Sequence, residues 1–151
     1  MATVFVLSDT HGKLPPDHDA IVAEADVVLH AGDIGSDAIL ERLEAGPPLH
    51  IIGGNNDRDG RCGDLPTLMT FDLLGLRVLM VHEIADAPDD RSEFDLIVYG
   101  HSHRPALEQK KRQLTLNPGS YACPRFGVPA SYAVLQVDGG RVTSVAIRYL
   151  S

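Results

Sequence analysis

The chain has 151 residues, 44% of them hydrophobic, with 13 Lys+Arg against 21 Asp+Glu and a formal net charge of -8. That length and apolar share predict one domain, 1–151, that buries its core without a disulfide framework, which two cysteines could not supply. The acidic balance repels polyanions at long range, which argues against an extended nucleic-acid surface or a membrane-surface role and leaves any phosphate chemistry to local positive charge.

The amino terminus Met1–Leu7 lacks a basic region and meets Ser8-Asp9-Thr10-His11 too early for a signal peptide. No apolar run approaches 18 residues, so the expectation is a cytoplasmic protein without membrane contact. Cys62 and Cys123 lie far apart without CxxC spacing and read as reduced thiols.

In chain order, Thr3–Leu7, Val27–His30 and Leu49–Ile52 are β-branched-rich runs, and helical stretches Asp17–Ala25 and Ser36–Ala45 lie between them. This is a βαβαβ order and predicts a parallel sheet. Ser36 suits an N-cap, and Gly46-Pro47-Pro48 stops the second helix. After residue 65 the rhythm changes to paired strands: Met69–Leu74 with Leu76–Val81 about Gly75, and Ala106–Gln109 with Gln113–Leu116 about Lys110-Lys111-Arg112. Tyr132–Val137 pairs with Val142–Tyr149 through Asp138-Gly139-Gly140, and Leu96–Tyr99 is one more buried strand. The parallel half and the hairpin half are expected to stack as two sheets of one α/β (α+β) domain, with helices outside.

Potential ligands stand where the buried runs end. Thr3–Leu7 leads to Asp9 and His11, Val27–His30 to Asp33, Leu49–Ile52 to Asn55, Arg77–Val81 to His82, and Leu96–Tyr99 to His101 and His103. Loops beyond the carboxyl ends of parallel strands gather at one edge, where such sheets bind ligands. Residues i and i+2 of an extended chain project to one side, so Asp9/His11 and His101/His103 can each aim two donors at one point. This mixed O/N set suits borderline ions, Mn²⁺ first, with Fe, Co²⁺, Ni²⁺ or Zn²⁺ also acceptable. Seven donors exceed the needs of one ion; two ions about 3.5–4 Å apart around a bridging carboxylate would use them all and attract an anion.

Asp9-Thr10-His11, Gly32-Asp33, Gly54-Asn55-Asn56-Asp57, His82, Gly100-His101-Ser102-His103 and Asn117-Pro118-Gly119-Ser120 resemble, in order, the motifs of calcineurin-like metallophosphoesterases, most closely their small bacterial and archaeal phosphodiesterase branch. The resemblance implies an αββα sandwich of two stacked mixed β-sheets flanked by helices. It also implies a dinuclear-metal phosphoesterase, more specifically a phosphodiesterase. Asp9, His11, Asp33 and His103 would hold one metal and Asp33, Asn55, His82 and His101 the other, with Asp33 as the bridge. A hydroxide between the ions would attack phosphorus in line.

Two positions depart from the family pattern. Asn56 stands where many members have a His that contacts phosphate and helps the leaving group depart; an amide can bind substrate there but cannot deliver a proton. Glu83 follows the metal-binding His where Gly is common, and reads as an acceptor for an imidazole, a proton donor to the leaving group, or a solvated residue. The proton donor is therefore unassigned, with Glu83 its weak candidate. The short Ile84–Phe94 segment leaves little room for a helix that relatives place there.

His18, His30 and His50 fall outside the site by position, and Asn117-Pro118-Gly119-Ser120 has the order of a type II turn with a structural role. Arg58, Arg61, Arg104 and Arg125 are each able to clamp a phosphate if they face the cleft. The expected partner is a small phosphate ester, with homo-oligomerisation left open. The rivals are a phosphomonoesterase or nucleotide phosphatase, and a protein-binding module on the same scaffold, as in the retromer subunit that resembles these enzymes.

Overall fold

The computed structural model describes residues 1–125 and 127–150. Strand β1 is Ala2–Leu7, β2 Val27–His30 and β3 Leu49–Ile51, with helices α1, His18–Val22, and α2, Asp37–Glu44, between them. The three strands pair in parallel, β1 with β2 and β2 with β3. Ser36 caps α2 as its sequence suggests: it is extended at φ -162° and its hydroxyl accepts from Ile39 N at 3.3 Å. Helix α1 is shorter than the expected Asp17–Ala25. It buries only His18 and Val22, and the Asp26 carboxylate takes Thr3 N at 2.7 Å, which ties the chain to the start of β1 before another turn can form.

A third helix, α3, spans Gly60–Gly63, after which come β4, Leu68–Leu73, and β5, Leu76–Val81. A single 3₁₀ turn, Ile84–Asp86, precedes β6, Leu96–Val98; then follow β7, Ala106–Lys110, β8, Gln113–Asn117, β9, Ser131–Asp138, and β10, Arg141–Tyr149. The two sheets run β10-β9-β1-β2-β3 and β4-β5-β6-β8-β7. Both are mixed: β5, β6 and β8 are mutually parallel, and antiparallel partners lie on their flanks.

The third hairpin departs from the expected split. β9 and β10 join the parallel sheet, β9 running antiparallel to β1. The reason lies in β9 itself, which is buried on both faces. Ala133, Leu135 and Val137 fill the layer between the sheets, while Tyr132 and Val134 pack with Phe5, Leu7 and the helices. A strand apolar on both sides belongs inside a covered sheet.

The inter-sheet core interleaves Val4, Val6 and Leu29 with Val78, Met80, Leu96, Val98 and Leu116. Helices α1 to α3 cover the far side of the first sheet, with Val22, Leu40, Leu43 and Cys62 of the helices clustered on Phe5, Leu7 and Val28 of the strands. The far side of the second sheet, Leu79, Val81 and Ile97, is covered by the 3₁₀ turn and the loop carrying Ala87 and Phe94, consistent with the short segment between residues 84 and 94. β1, β2, β3, β5, β6 and β8 all release their carboxyl ends at one edge of the sandwich, and cross-links close that edge. Gly100 N donates to His82 O at 2.9 Å, His11 N to Asp33 O at 2.9 Å, and Tyr121 N to Ser8 O at 2.9 Å.

Candidate metal centre

The strand exits bring six of the seven sequence-predicted ligands into two adjoining groups, Asp9, His11 and His103 in one and Asp33, His82 and His101 in the other, each with ligand atoms within 4.8 Å of one another. In the first group His11 Nε2 lies 3.1 Å from His103 Nε2, and Asp9 Oδ1 lies 3.7 and 3.5 Å from those two nitrogens. Atoms sharing a cation at about 2.0–2.2 Å stand about 3.0–3.5 Å from each other, so this triangle is nearly the size that such an ion imposes.

Asp33 joins the groups. Its Oδ2 lies 3.6 Å from His11 Nε2 and 3.3 Å from His82 Nε2, the position of a shared carboxylate. His101 closes the second group at the rim: its ring sits edge-on to His82 with centroids 5.3 Å apart, and its Nε2 is 3.8 Å from Glu83 Oε1, with both side chains more than 40% exposed.

Unpaired atoms point the same way. Among the described residues, three buried side-chain atoms lack a hydrogen-bond partner: Asp9 Oδ1, His82 Nε2 and His103 Nδ1. Such atoms are rare in folded proteins because each forfeits its solvation. Two of them face the groups, and their neighbours' bonds explain their direction. Asp9 Oδ2 is occupied by Ser8 Oγ at 2.7 Å and His101 N at 3.1 Å, which turns Oδ1 inward. His82 Nδ1 donates to Ala31 O at 2.8 Å, which turns Nε2 toward Asp33. The donor set therefore fits divalent cations.

Backbone conformation aims these side chains, by a route different from the extended i, i+2 projection that the spacing suggests. Asp9, His11, Asp33, His101 and His103 all have positive φ, between 47° and 73°, and they make up five of the seven such non-glycine residues among those described. Left-handed backbone reverses the chain at each position and swings alternate side chains back to a common point; a non-glycine residue there carries strain of about 1–3 kcal/mol. Close approach adds a glycine requirement, since a Cβ on Gly54 would collide with the Asp33 carboxylate and amide.

Electrostatics follow from burial and pairing. Burial opposes ionisation of Asp33, yet the facing His82 imidazole, the bond from the Asn56 amide and the charge of His11 overcome it and hold the carboxyl below the usual carboxylate range. Burial likewise lowers His82, but Asp33 and the Ala31 carbonyl raise it to about 8. Burial pushes His103 down; Asp9 pulls against it, and His11 and Arg125 push the same way as burial, so the imidazole stays neutral and able to ligate.

Asn55, the seventh predicted ligand, is exposed at the β3 exit. Its carbonyl takes Arg58 Nε at 3.3 Å, and its side chain makes no hydrogen bond among the described residues. Asn56 reaches Asp33 with both its main-chain and side-chain nitrogens. The other histidines are engaged elsewhere. His30 is fully buried, accepting Gly32 N at 3.1 Å and meeting Thr10 Oγ1 at 3.2 Å. His18 bonds Tyr121 OH at 2.8 Å, and His50 stacks on Phe71. Arg61 is bound bidentately by Glu44, Arg58 and Arg125 neighbour Asn55 and His103, and Arg104 N donates to Ser102 Oγ. Cys62 and Cys123 are free thiols, and burial pushes Cys62 up to about 12.

Two supporting residues escaped the sequence reading. Ser8 sets the Asp9 rotamer, and Asp57 accepts from Ile34 N, Gly35 N and Gly54 N at 2.9–3.1 Å, tying the β2 exit to the β3 exit. An acid directly after Asn55-Asn56 was the available sign. Asn117-Pro118-Gly119-Ser120 proves structural: Gly119 has φ +81°, Asn117 Nδ2 donates to Gly100 O and Ser102 Oγ, and Ser120 Oγ donates to Asp9 O.

Residues 2–140 match the family model of the calcineurin-like phosphoesterase superfamily domain. The chain belongs to that superfamily. A probable metallophosphoesterase of Methanothermobacter thermautotrophicus is 31% identical over 160 aligned positions, covering 95% of this chain and 90% of that one. Among solved structures, this phosphoesterase fold is shared with an archaeal phosphodiesterase (TM-score 0.79, 22% identity, 98% and 99% of the two chains covered). It is shared also with the zinc complex of Vps29 from Entamoeba histolytica (TM-score 0.75, 18% identity, 98% of each chain). No helix among the described residues is long and apolar enough to cross a membrane.

Proposed function

We propose that residues 1–151 form a dinuclear-metal phosphodiesterase domain, with Asp33 as the carboxylate shared by two divalent cations, Mn²⁺ first. The observation that carries this reading is the placement of Asp33 Oδ2 within 3.6 Å of a histidine nitrogen from each group. Asp9, His11, Asp33 and His103 would hold one ion, and Asp33, Asn55, His82 and His101 the other, the Asn55 side-chain amide making no hydrogen bond among the described residues. When bound, the ions supply Lewis acidity to the phosphoryl oxygens and lower the pKa of the attacking water.

The chain's own residues do the rest. Ala31 O takes the His82 Nδ1–H and so orients the ring, and Ser8 with His101 N fixes Asp9, so these side chains would hold their ions without reorganising. His101 and Glu83 form the open rim across which a substrate enters. A carboxylate at that rim favours a monoanionic diester over a dianionic monoester, and Asn56 lacks the transferable proton that a poor leaving group needs.

The second reading, a protein-binding module, is favoured by the likeness to Vps29. Because that neighbour is described as a zinc complex, metal binding does not separate the two readings; turnover does. The test is hydrolysis of bis-p-nitrophenyl phosphate and p-nitrophenyl phosphate by metal-stripped protein reloaded with Mn²⁺. The expected kcat/KM is at least about tenfold higher on the diester, and Asp33→Asn is expected to lose both bound metal and turnover while keeping its fold. Stoichiometric Mn²⁺ without turnover of either ester would favour the binding module.

A further inference from the structure

One residue holds both oxygens of the Asp33 carboxylate. Asn56 N donates to Oδ1 at 3.0 Å, and Asn56 Nδ2 donates to Oδ2 at 3.0 Å. The amide orientation is dictated by chemistry, because its oxygen turned toward a carboxylate would repel it. A single donor would leave the carboxylate free to rotate about Cβ–Cγ, whereas two donors on opposite oxygens fix its plane. Asp33 Oδ2, so fixed, is the oxygen that lies between His11 Nε2 and His82 Nε2.

We infer that Asn56 is a positioning residue for the Asp33 carboxylate, its side-chain amide orienting Oδ2 toward both ligand groups, and that this is its contribution in place of a substrate contact or proton transfer. The inference rests on the proposed role of Asp33 as the shared ligand. Hydrogen bonds to ligating carboxylates tune cation affinity, and their removal costs about 10–100-fold. Of the two clamps, the main-chain one survives any substitution at residue 56 other than proline, so the side-chain amide is the part that an alanine variant tests.

Asn56 is exposed and outside any helix or strand, so Asn56→Ala is expected to fold, with a metal-free melting temperature within about 2 °C of the parent. The first readout needs no metal. The Asn56 side-chain amide proton signals, assigned in ¹⁵N-labelled metal-free protein by their loss in Asn56→Ala, should lie downfield and move toward random-coil positions in Asp33→Ala, or in Asp33→Ser should the alanine variant not fold. The second is calorimetric titration with Mn²⁺, in which Asn56→Ala should bind about 10–100-fold more weakly, while KM for bis-p-nitrophenyl phosphate at saturating Mn²⁺ stays within about twofold of the parent. Amide signals indifferent to Asp33, Mn²⁺ affinity within about threefold of the parent, or a raised KM with unchanged affinity would each overturn the assignment. A parent protein that takes up no Mn²⁺ would sink the metal reading of Asp33, and the clamp would still stand or fall on the amide signals.

Discussion

Replacing Asp57 by alanine removes three acceptor contacts at once, and their loss tests whether this carboxylate braces the edge that carries the site. The bonds to Ile34 N (3.0 Å) and Gly54 N (2.9 Å) are part-buried, and that to Gly35 N (3.1 Å) is exposed. A hydrogen bond to a charged acceptor contributes about 1.5–3 kcal/mol when shielded; discounting for partial exposure leaves about 1–1.5 kcal/mol for each of the first two, and about 0.5 kcal/mol for the third, because water replaces that acceptor. The sum is about 3 kcal/mol. Unfolding entropy near 2.1 cal/mol/K per residue gives a chain of this size about 0.3 kcal/mol/K, so the metal-free protein should melt about 10 °C lower. Calorimetry of metal-stripped parent and variant measures this without the contribution of cation binding. Asp57→Asn, which keeps one acceptor oxygen, should lose about half as much. A variant melting within about 2 °C of the parent would refute the bracing role.

Other expectations are more compact. Burial holds His30 neutral with its pKa pushed down to about 4, against pulls from Asp9, Asp57 and Asp33. The unfolded chain therefore binds the extra proton below pH 6.5, this contribution to stability is present near neutrality and is lost as pH falls toward 4, and between pH 7 and pH 5 the loss is about 2 kcal/mol. Urea unfolding at the two pH values should show a correspondingly shallower acid loss in His30→Gln, and equal slopes would contradict the assignment. Gly54→Ala drives a methyl group onto Asp33 and should weaken Mn²⁺ binding at least about tenfold; calorimetric affinity equal to the parent's would show that the carboxylate is free to shift. Tyr121→Phe removes the buried bond to His18 and should lower stability by about 1–2 kcal/mol with turnover unchanged, as thermal melts and ester assays would reveal.

Much of this architecture is written locally. Val4-Phe5-Val6-Leu7 is apolar at four consecutive positions because its strand is covered on both faces, and the Ser36 cap and the Gly46-Pro47-Pro48 stop bracket α2. The placement of β9 was not legible, because a hairpin with a Gly139-Gly140 turn looks the same whether it pairs with β1 or with another hairpin, and long-range pairing decides. For the site, strand exits gave the ligand types, since five different runs end in donors. Their aiming was not legible: Asp9 and His11 converge through left-handed backbone imposed by bonds to Gly32 O and Asp33 O, contacts more than 20 residues away in the chain. Asp57 was half hidden for the same reason, since its bonds to Ile34 N and Gly35 N span more than 20 residues, whereas Ser8 adjoins Asp9 and only its rotamer was illegible.

The left-handed conformation at Asp9, His11, Asp33, His101 and His103 sets durability against chemistry. Glycine at any of these positions would relax the main chain and raise stability wherever the discarded side chain was not itself holding the loop. Selection for thermal robustness alone would therefore erode this edge, and its persistence in a heat-selected library would report that the proposed ester-cleaving role, rather than folding, was still being enforced.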